Sequence, residues 1–210
     1  EWHRGGYSFV AYREREEEAL KDLLDVQHGF GLEIKWLNRD DLLDVIPSLN
    51  RNNLIGGTYS PNDGSASPLL SAHAFYKRAA EQGARFHFNE RVTGIITRRG
   101  KVVGVRTDRG GYATETVINA AGAWGRQAAR MAGLDAPVTP DSHEAGITEP
   151  VRRFLEPMVV DLRPAEGSKN YYFYQHGTGA LVFCITPEPP IVGTDRRATS
   201  EYLPMIAPRM

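Results

Sequence analysis

Two short runs hold the residues best suited to chemistry in this 210-residue chain. In "NYYFYQ" (Asn170 to Gln175), Tyr172 and Tyr174 are two positions apart, so on a strand they share one face while Tyr171 and Phe173 take the other. A tyrosine on such a face offers an apolar ring to shape a cavity and a hydroxyl to bond a carboxylate or an amine. Lining a substrate cavity and ordinary sheet packing both account for the pair. In "TVINAAGAWG" (Thr116 to Gly125), β-branched residues lead into Ala-Ala-Gly and then into a helix-like run. Small residues at a strand-to-helix turn let a phosphate or ribose approach the backbone, and a helix start offers free N–H groups. Gly122 is the position where a side chain would interfere most. Packing alone also accounts for alanine and glycine there.

Other candidates carry less. His143 and Glu144 are neighbours, and neighbours on a strand point to opposite faces, so they do not converge on one atom. The six histidines show no metal-ligand spacing, and no metal site is expected. No nucleophile-elbow pattern appears. The single cysteine, Cys184, lies in the apolar run "ALVFCIT" and reads as a small buried hydrophobe. It excludes an internal disulfide and points to an intracellular, cytoplasmic protein. The net charge of -1 favours no nucleic-acid or anionic-membrane partner, and no apolar run is long enough to cross a bilayer. The chain starts without Met and both ends are abrupt, as expected of a piece of a longer polypeptide.

The elements that position these runs follow from pattern. "GGYSFVAY" alternates as a strand. "REREEEALKDLLDVQHG" is a helix with acids in its first turn, Leu20, Leu23 and Leu24 on one face and Gly29 closing it. "GLEIKWL" is a short strand. Asn38 caps a helix that ends at Pro47, with Asp41 three residues on. Ser67 caps a second helix with Pro68 first in it, running to Gln82 with an apolar stripe at Leu70, Ala74, Phe75 and Ala79. "ARFHFNE", "RVTGIITRRG", "KVVGVRTDRGG" and "YATETVINAAG" form an antiparallel meander, followed by a small-residue helix over Ala123 to Leu134. Four more strands occupy "PVTPDSHEAGITEPV", "EPMVVDL", "NYYFYQ" and "ALVFCIT", with "HGTG" as a hairpin turn. The grammar is α+β, with mostly antiparallel strands.

This order of parts, with "NERVTGI", "INAAGAW" and "ITEPV", resembles the D-amino-acid oxidase, glycine oxidase and sarcosine oxidase family of FAD-dependent oxidoreductases. The resemblance implies an FAD cofactor and oxidation of the C–N bond of an amino acid or N-methyl amino acid, with hydride passing to the flavin. It implies that Val92 sets its backbone against the adenine, and that Ala121 and Gly122 line the pyrophosphate or ribose. Trp124 would pack its helix onto the sheet, and Asp63 and Gly64 would form a fold-making turn. Tyr172 and Tyr174 would contact the small-molecule amine or amino acid. The residues 1–66 and 135–210 would be substrate domain, and 67–134 part of the FAD domain. The sarcosine-oxidase-subunit flavour implies partner subunits. The family's Gly-rich G-x-G-x-x-G turn and its flavin-covering segment have no counterpart in the sequence, so weak or no FAD binding by this chain alone is expected. A non-catalytic ligand-binding or assembly module that kept the fold is the alternative.

Overall fold

A computed structural model describes residues 2–209. The chain opens with β1 (Trp2–His3), β2 (Tyr7–Ala11), α1 (Glu14–Gly29), β3 (Lys35–Asn38) and α2 (Arg39–Val45). Next come β4 (Gly56–Ser60), β5 (Ser65–Ala66), α3 (Pro68–Glu81), β6 (Val92–Arg98), β7 (Lys101–Thr107) and β8 (Gly111–Ala113). A 3-10 turn (Gly122–Trp124) precedes α4 (Gly125–Arg130) and β9 (Ala145–Ile147). The chain then forms β10 (Met158–Asp161), β11 (Ser168–Gln175), β12 (Leu181–Pro187), α5 (Tyr202–Ile206) and a last 3-10 turn (Ala207–Arg209). Among the described residues, no helix is long and apolar enough to cross a membrane. Two compact units result: residues 1–73, 143–191 and 196–210, and residues 74–142 with 192–195.

The first unit is built on a seven-stranded sheet in the order β3-β4-β2-β10-β11-β12-β9, antiparallel except where β2 meets β10. Register makes Val10, Val159, Tyr171, Phe173, Phe183 and Ile185 share one face. Helix α2 covers that face through Leu42 and Ile46, in one core with Val10 and Val159. Helix α5 covers another part of it through Tyr202 and Ile206, in a second core with Tyr171, Phe183 and Ile185. Burying Leu42 completely is worth about 1.5–3 kcal/mol. Helix α2 starts as its sequence dictates: the Asn38 side-chain oxygen accepts from the N–H groups of Asp40 (2.9 Å) and Asp41 (3.0 Å). The turn at Asp63 and Gly64 is fixed by close approach, since a Cβ on Gly64 would lie 1.9 Å from the His3 carbonyl oxygen.

Helix α1 forms as expected, but only Leu20 of its predicted leucine stripe is buried; Leu23 stays half-exposed. Gly29 is its last residue, and Phe30 caps it.

The second unit is a three-stranded meander, β6-β7-β8, with α4 and the second half of α3. It departs from the sequence reading in five places. "ARFHFNE" forms no strand, and the last meander strand stops at Ala113, so Thr116–Ala121 joins no sheet and Ile118 is 86% exposed. A β-branched run cannot form a ladder where no strand lies beside it. The stripe of α3 is not covered: no residue of that helix is buried, and Leu70 and Phe75 face solvent. The helix predicted over Ala123 to Leu134 is shorter, a 3-10 turn followed by α4. Trp124, expected to pack against the sheet, is half-exposed.

Candidate functional site

The face of the seven-stranded sheet opposite α2 and α5 carries the tyrosines. On β11, Tyr172 pairs with Val160 of β10 and Cys184 of β12, and Tyr174 pairs with Val182. Val160 pairs in turn with Phe9 of β2, and Met158 with Tyr7. Pairing across adjacent strands puts all of these side chains on one side. Tyr7, Phe9, Tyr172 and Tyr174 are each half-buried, while their neighbours on the other face, Ser8, Val10, Tyr171 and Gln175, are buried. Helices α2 and α5 cover one side of the sheet; on the other, α1 reaches the Trp36 ring through Lys21, and the half-buried aromatics lie beside the buried Thr58, Val160 and Cys184. The rings of Tyr7 and Phe9 sit 5.2 Å apart. Tyr7 and Phe9 were not singled out from sequence, although "GGYSFVAY" carries the same two-residue spacing on a strand.

The electrostatics of this face are those of neutral donors. Burial, then a hydrogen bond with Cys184, pushes the Tyr172 hydroxyl far above the ordinary tyrosine range. Burial, then the charge of Asp63, also raises Tyr7. Cys184 is a free, buried thiol that donates to the Glu144 carbonyl at 2.9 Å, and burial raises its pKa. Its packing role agrees with the sequence reading. Glu144, next to His143, is engaged in structure: its carboxylate accepts from the Thr199 N–H (2.8 Å) and hydroxyl (2.7 Å).

The three residues expected at a cofactor lie in the second unit. Val92 opens the edge strand β6 opposite Thr107. The Arg91 carbonyl accepts from the Asp108 N–H at 3.0 Å, so Arg91 spends its backbone on β7. Alternation then turns the N–H and C=O of Val92 out to the open edge, where they can bond the edge of a planar base. Glu90, which the sequence reading passed over, fixes that edge. Its carboxylate accepts from the hydroxyls of Thr107 (2.6 Å) and Tyr112 (2.9 and 3.0 Å), tying the entry of β6 to β7 and β8. The bond from Thr107 is the largest cause of its lowered pKa.

Gly122 has φ +53°, a left-handed conformation in which a side chain costs roughly 1–2 kcal/mol. Nothing lies within 4 Å of where its Cβ would be. The backbone sign therefore favours glycine there, and the space beside it is open. Ala121 precedes it, its N–H bonded to the Asn119 side chain at 3.2 Å.

Backbone turned outward at Val92 and an open glycine turn fit part of a dinucleotide cradle, and the aromatic face fits a small organic substrate. The model of the DAO family of FAD dependent oxidoreductases matches residues 1–210. The chain belongs to that family. It is 29% identical over 153 residues to mitochondrial sarcosine dehydrogenase of Mus musculus, which covers 70% of this chain and 17% of the relative. It is 33% identical over 140 residues to mitochondrial dimethylglycine dehydrogenase of Mus musculus, with 66% and 16% covered. The solved L-proline dehydrogenase from P. horikoshii superposes with a TM-score of 0.86 at 28% identity, over 99% of this chain and 55% of that one. Glycine oxidase from Bacillus cereus shares the fold, with a TM-score of 0.77 at 23% identity. The chain thus spans about a sixth of these dehydrogenase relatives and about half of the solved chains.

Proposed function

We propose that this chain carries the substrate sheet and part of the flavin cradle of a longer FAD-dependent oxidoreductase acting on the C–N bond of an amino acid or N-methyl amino acid. The half-buried aromatic face, in a chain of this family, is the observation that carries the reading. Bound FAD would supply the chemistry, accepting a hydride from the carbon next to nitrogen. Val92 would hold the adenine through its outward N–H and C=O, and Ala121 and Gly122 would line the pyrophosphate or ribose. Residues 67–134 would then be the FAD-domain part, and 1–66 with 135–210 the substrate domain.

Tyr172 and Tyr174 would bound the substrate cavity and keep water off one side of it. Because its hydroxyl keeps its proton at ordinary pH, Tyr172 acts as a donor, suited to a substrate carboxylate. The amine must be neutral when it reacts, since its lone pair stabilises the developing imine. None of these side chains has to take a proton from carbon. The names of the two dehydrogenase relatives favour N-methylated amino acids, and partner subunits and a cytoplasmic setting belong to the same proposal.

The test is Tyr172→Phe and Tyr174→Phe in the full-length flavoprotein, assayed with sarcosine, dimethylglycine, L-proline and glycine. At least one substitution should raise KM roughly 10-fold, the scale of one lost hydrogen bond to a charged group, with the spectrum of bound FAD unchanged. If kcat and KM stay at wild-type values in both, the tyrosines are packing residues and the cavity lies elsewhere.

A further inference from the structure

The side of the seven-stranded sheet covered by α2 and α5 contains a cavity of about 640 Å³ lined by residues of both hydrophobic cores, among them Val10, Val159 and Tyr171. Its floor includes Val10, Val159 and Phe173, so it lies across the sheet from the face of Tyr172 and Tyr174. This size, with an apolar lining and a few converging polar groups, is that of small-molecule sites. The polar groups sit together at one end. The Arg163 guanidinium lies 3.7 Å from the centre of the Tyr12 ring and forks onto Asp161, with Nε to Oδ1 at 3.0 Å and Nη2 to Oδ2 at 2.7 Å. Arg209 comes in from the final 3-10 turn and is held by its donation to the Ser168 hydroxyl (3.1 Å) and the Arg163 carbonyl (2.7 Å). Its side chain is 10% exposed, and its nearest carboxylate oxygen, on Asp161, is 3.7 Å away.

The charges do not balance. Asp161 is engaged by the bidentate fork of Arg163, and the nearby Glu16 by Arg13. Among the described residues, Arg163 and Arg209 thus share the one Asp161 carboxylate, Arg163 at 2.7 Å and Arg209 at 3.7 Å, which leaves the largely desolvated Arg209 only partly compensated. Burial first, and then Arg163, push its pKa down against the pull of Asp161. A cation left this way is stabilised by an added anion, and the guanidinium geometry suits a carboxylate.

From this geometry we infer a binding site for a small carboxylic acid with an apolar or aromatic body, its carboxylate on Arg209 and its body over Val10, Val159 and Phe173. The site is separate from the substrate face and independent of the function proposed above.

The test is calorimetric titration of the chain with 4-phenylbutyrate and with its neutral amide. Wild type should bind the acid one-to-one, and the amide should bind at least about 10-fold more weakly, the charge-assisted bond being absent. Arg209→Gln should weaken the acid by a similar factor. Because that change also disturbs Asp161, Ala165→Trp serves as a second variant: Ala165 is exposed at the rim, so a tryptophan fills the cavity without entering the core. It should abolish binding in a chain that still melts cooperatively. The double change Tyr172→Phe and Tyr174→Phe should leave binding of the acid unchanged. The inference is overturned if folded wild type gives no binding heat, if both Arg209→Gln and Ala165→Trp bind like wild type, or if the double tyrosine change removes binding.

Discussion

The two units of this chain spend their apolar residues in opposite ways. In the seven-stranded unit, leucines, isoleucines, valines and aromatics are buried in two cores beneath α2 and α5. In the meander unit the fully buried residues are three glycines, Gly94, Gly104 and Gly125. Its large apolar side chains, among them Phe75, Phe88 and Ile118, are exposed. One unit therefore stabilises itself by side-chain burial. The other is held by ladders and by polar ties such as Glu90 to Thr107 and Tyr112, and it offers open backbone. In the function proposed here, the sheet shapes a substrate cavity and the backbone of the meander unit meets a cofactor.

The largest expected effect is at Gln175. Its side-chain oxygen accepts from the N–H groups of Phe154 (2.8 Å) and Leu155 (3.1 Å), and its amide donates to the carbonyls of Arg152 (3.2 Å) and Gly179 (2.8 Å). Gln175→Leu leaves those buried groups unpaired and should cost about 3 kcal/mol, read from the urea midpoint. A loss under about 1 kcal/mol would break the comparison, because the buried unit would then tolerate what only an open one should.

Next comes Tyr171, on the buried face. Burial, opposed by Arg209 and helped by Asp161, pushes its pKa up to about 12. The folded chain thus holds this proton more tightly than the unfolded one, whose tyrosine titrates at about 10. The resulting stability is complete below pH 10 and is lost as the pH rises from 10 towards 12, on the order of 2 kcal/mol. Melting temperatures measured across that window should fall less steeply for Tyr171→Phe than for wild type. Equal slopes would remove Tyr171 from the buried set.

A smaller effect is due at Asn38. Asn38→Ala removes the cap of α2 and should cost about 1 kcal/mol by denaturant titration, with no cost contradicting the observed capping bonds. The smallest belongs to the meander unit. Phe75 is 79% exposed, so Phe75→Ser should change stability by under about 0.5 kcal/mol. A loss several times larger would show the ring buried in solution and would erase the contrast between the units.

What the sequence made legible was local or periodic. Asn38, Asp41 and Pro47 fix α2 within ten residues, and the shared face of Tyr172 and Tyr174 follows from the period of a strand. Partners distant in the chain were not legible. Nothing in "NYYFYQ" announces that Gln175 holds the segment around Phe154, and nothing near Tyr12 announces the guanidinium of Arg163 on its ring. The apolar stripe of α3 and the β-branched run at Thr116–Ala121 failed for a related reason. Periodicity reports which face would be buried, and a strand pattern reports which residues would pair, but neither supplies the neighbour that does the burying or pairing. The sequence marks Gly122 as a place where a side chain would interfere with a ligand, and it does not reveal the positive φ that also favours glycine there. Glu90 went unnoticed because its role depends on Thr107 and Tyr112 arriving beside it.

The most direct test of the division between the two units is amide hydrogen exchange on the full-length flavoprotein, with FAD bound and with FAD removed. The account predicts slower exchange on FAD binding at Val92 and across Asn119 to Ala123, with β10, β11 and β12 already protected and unchanged. Slowing confined to β10, β11 and β12, with Val92 and Gly122 unaffected, would place the cofactor on the wrong unit and contradict it.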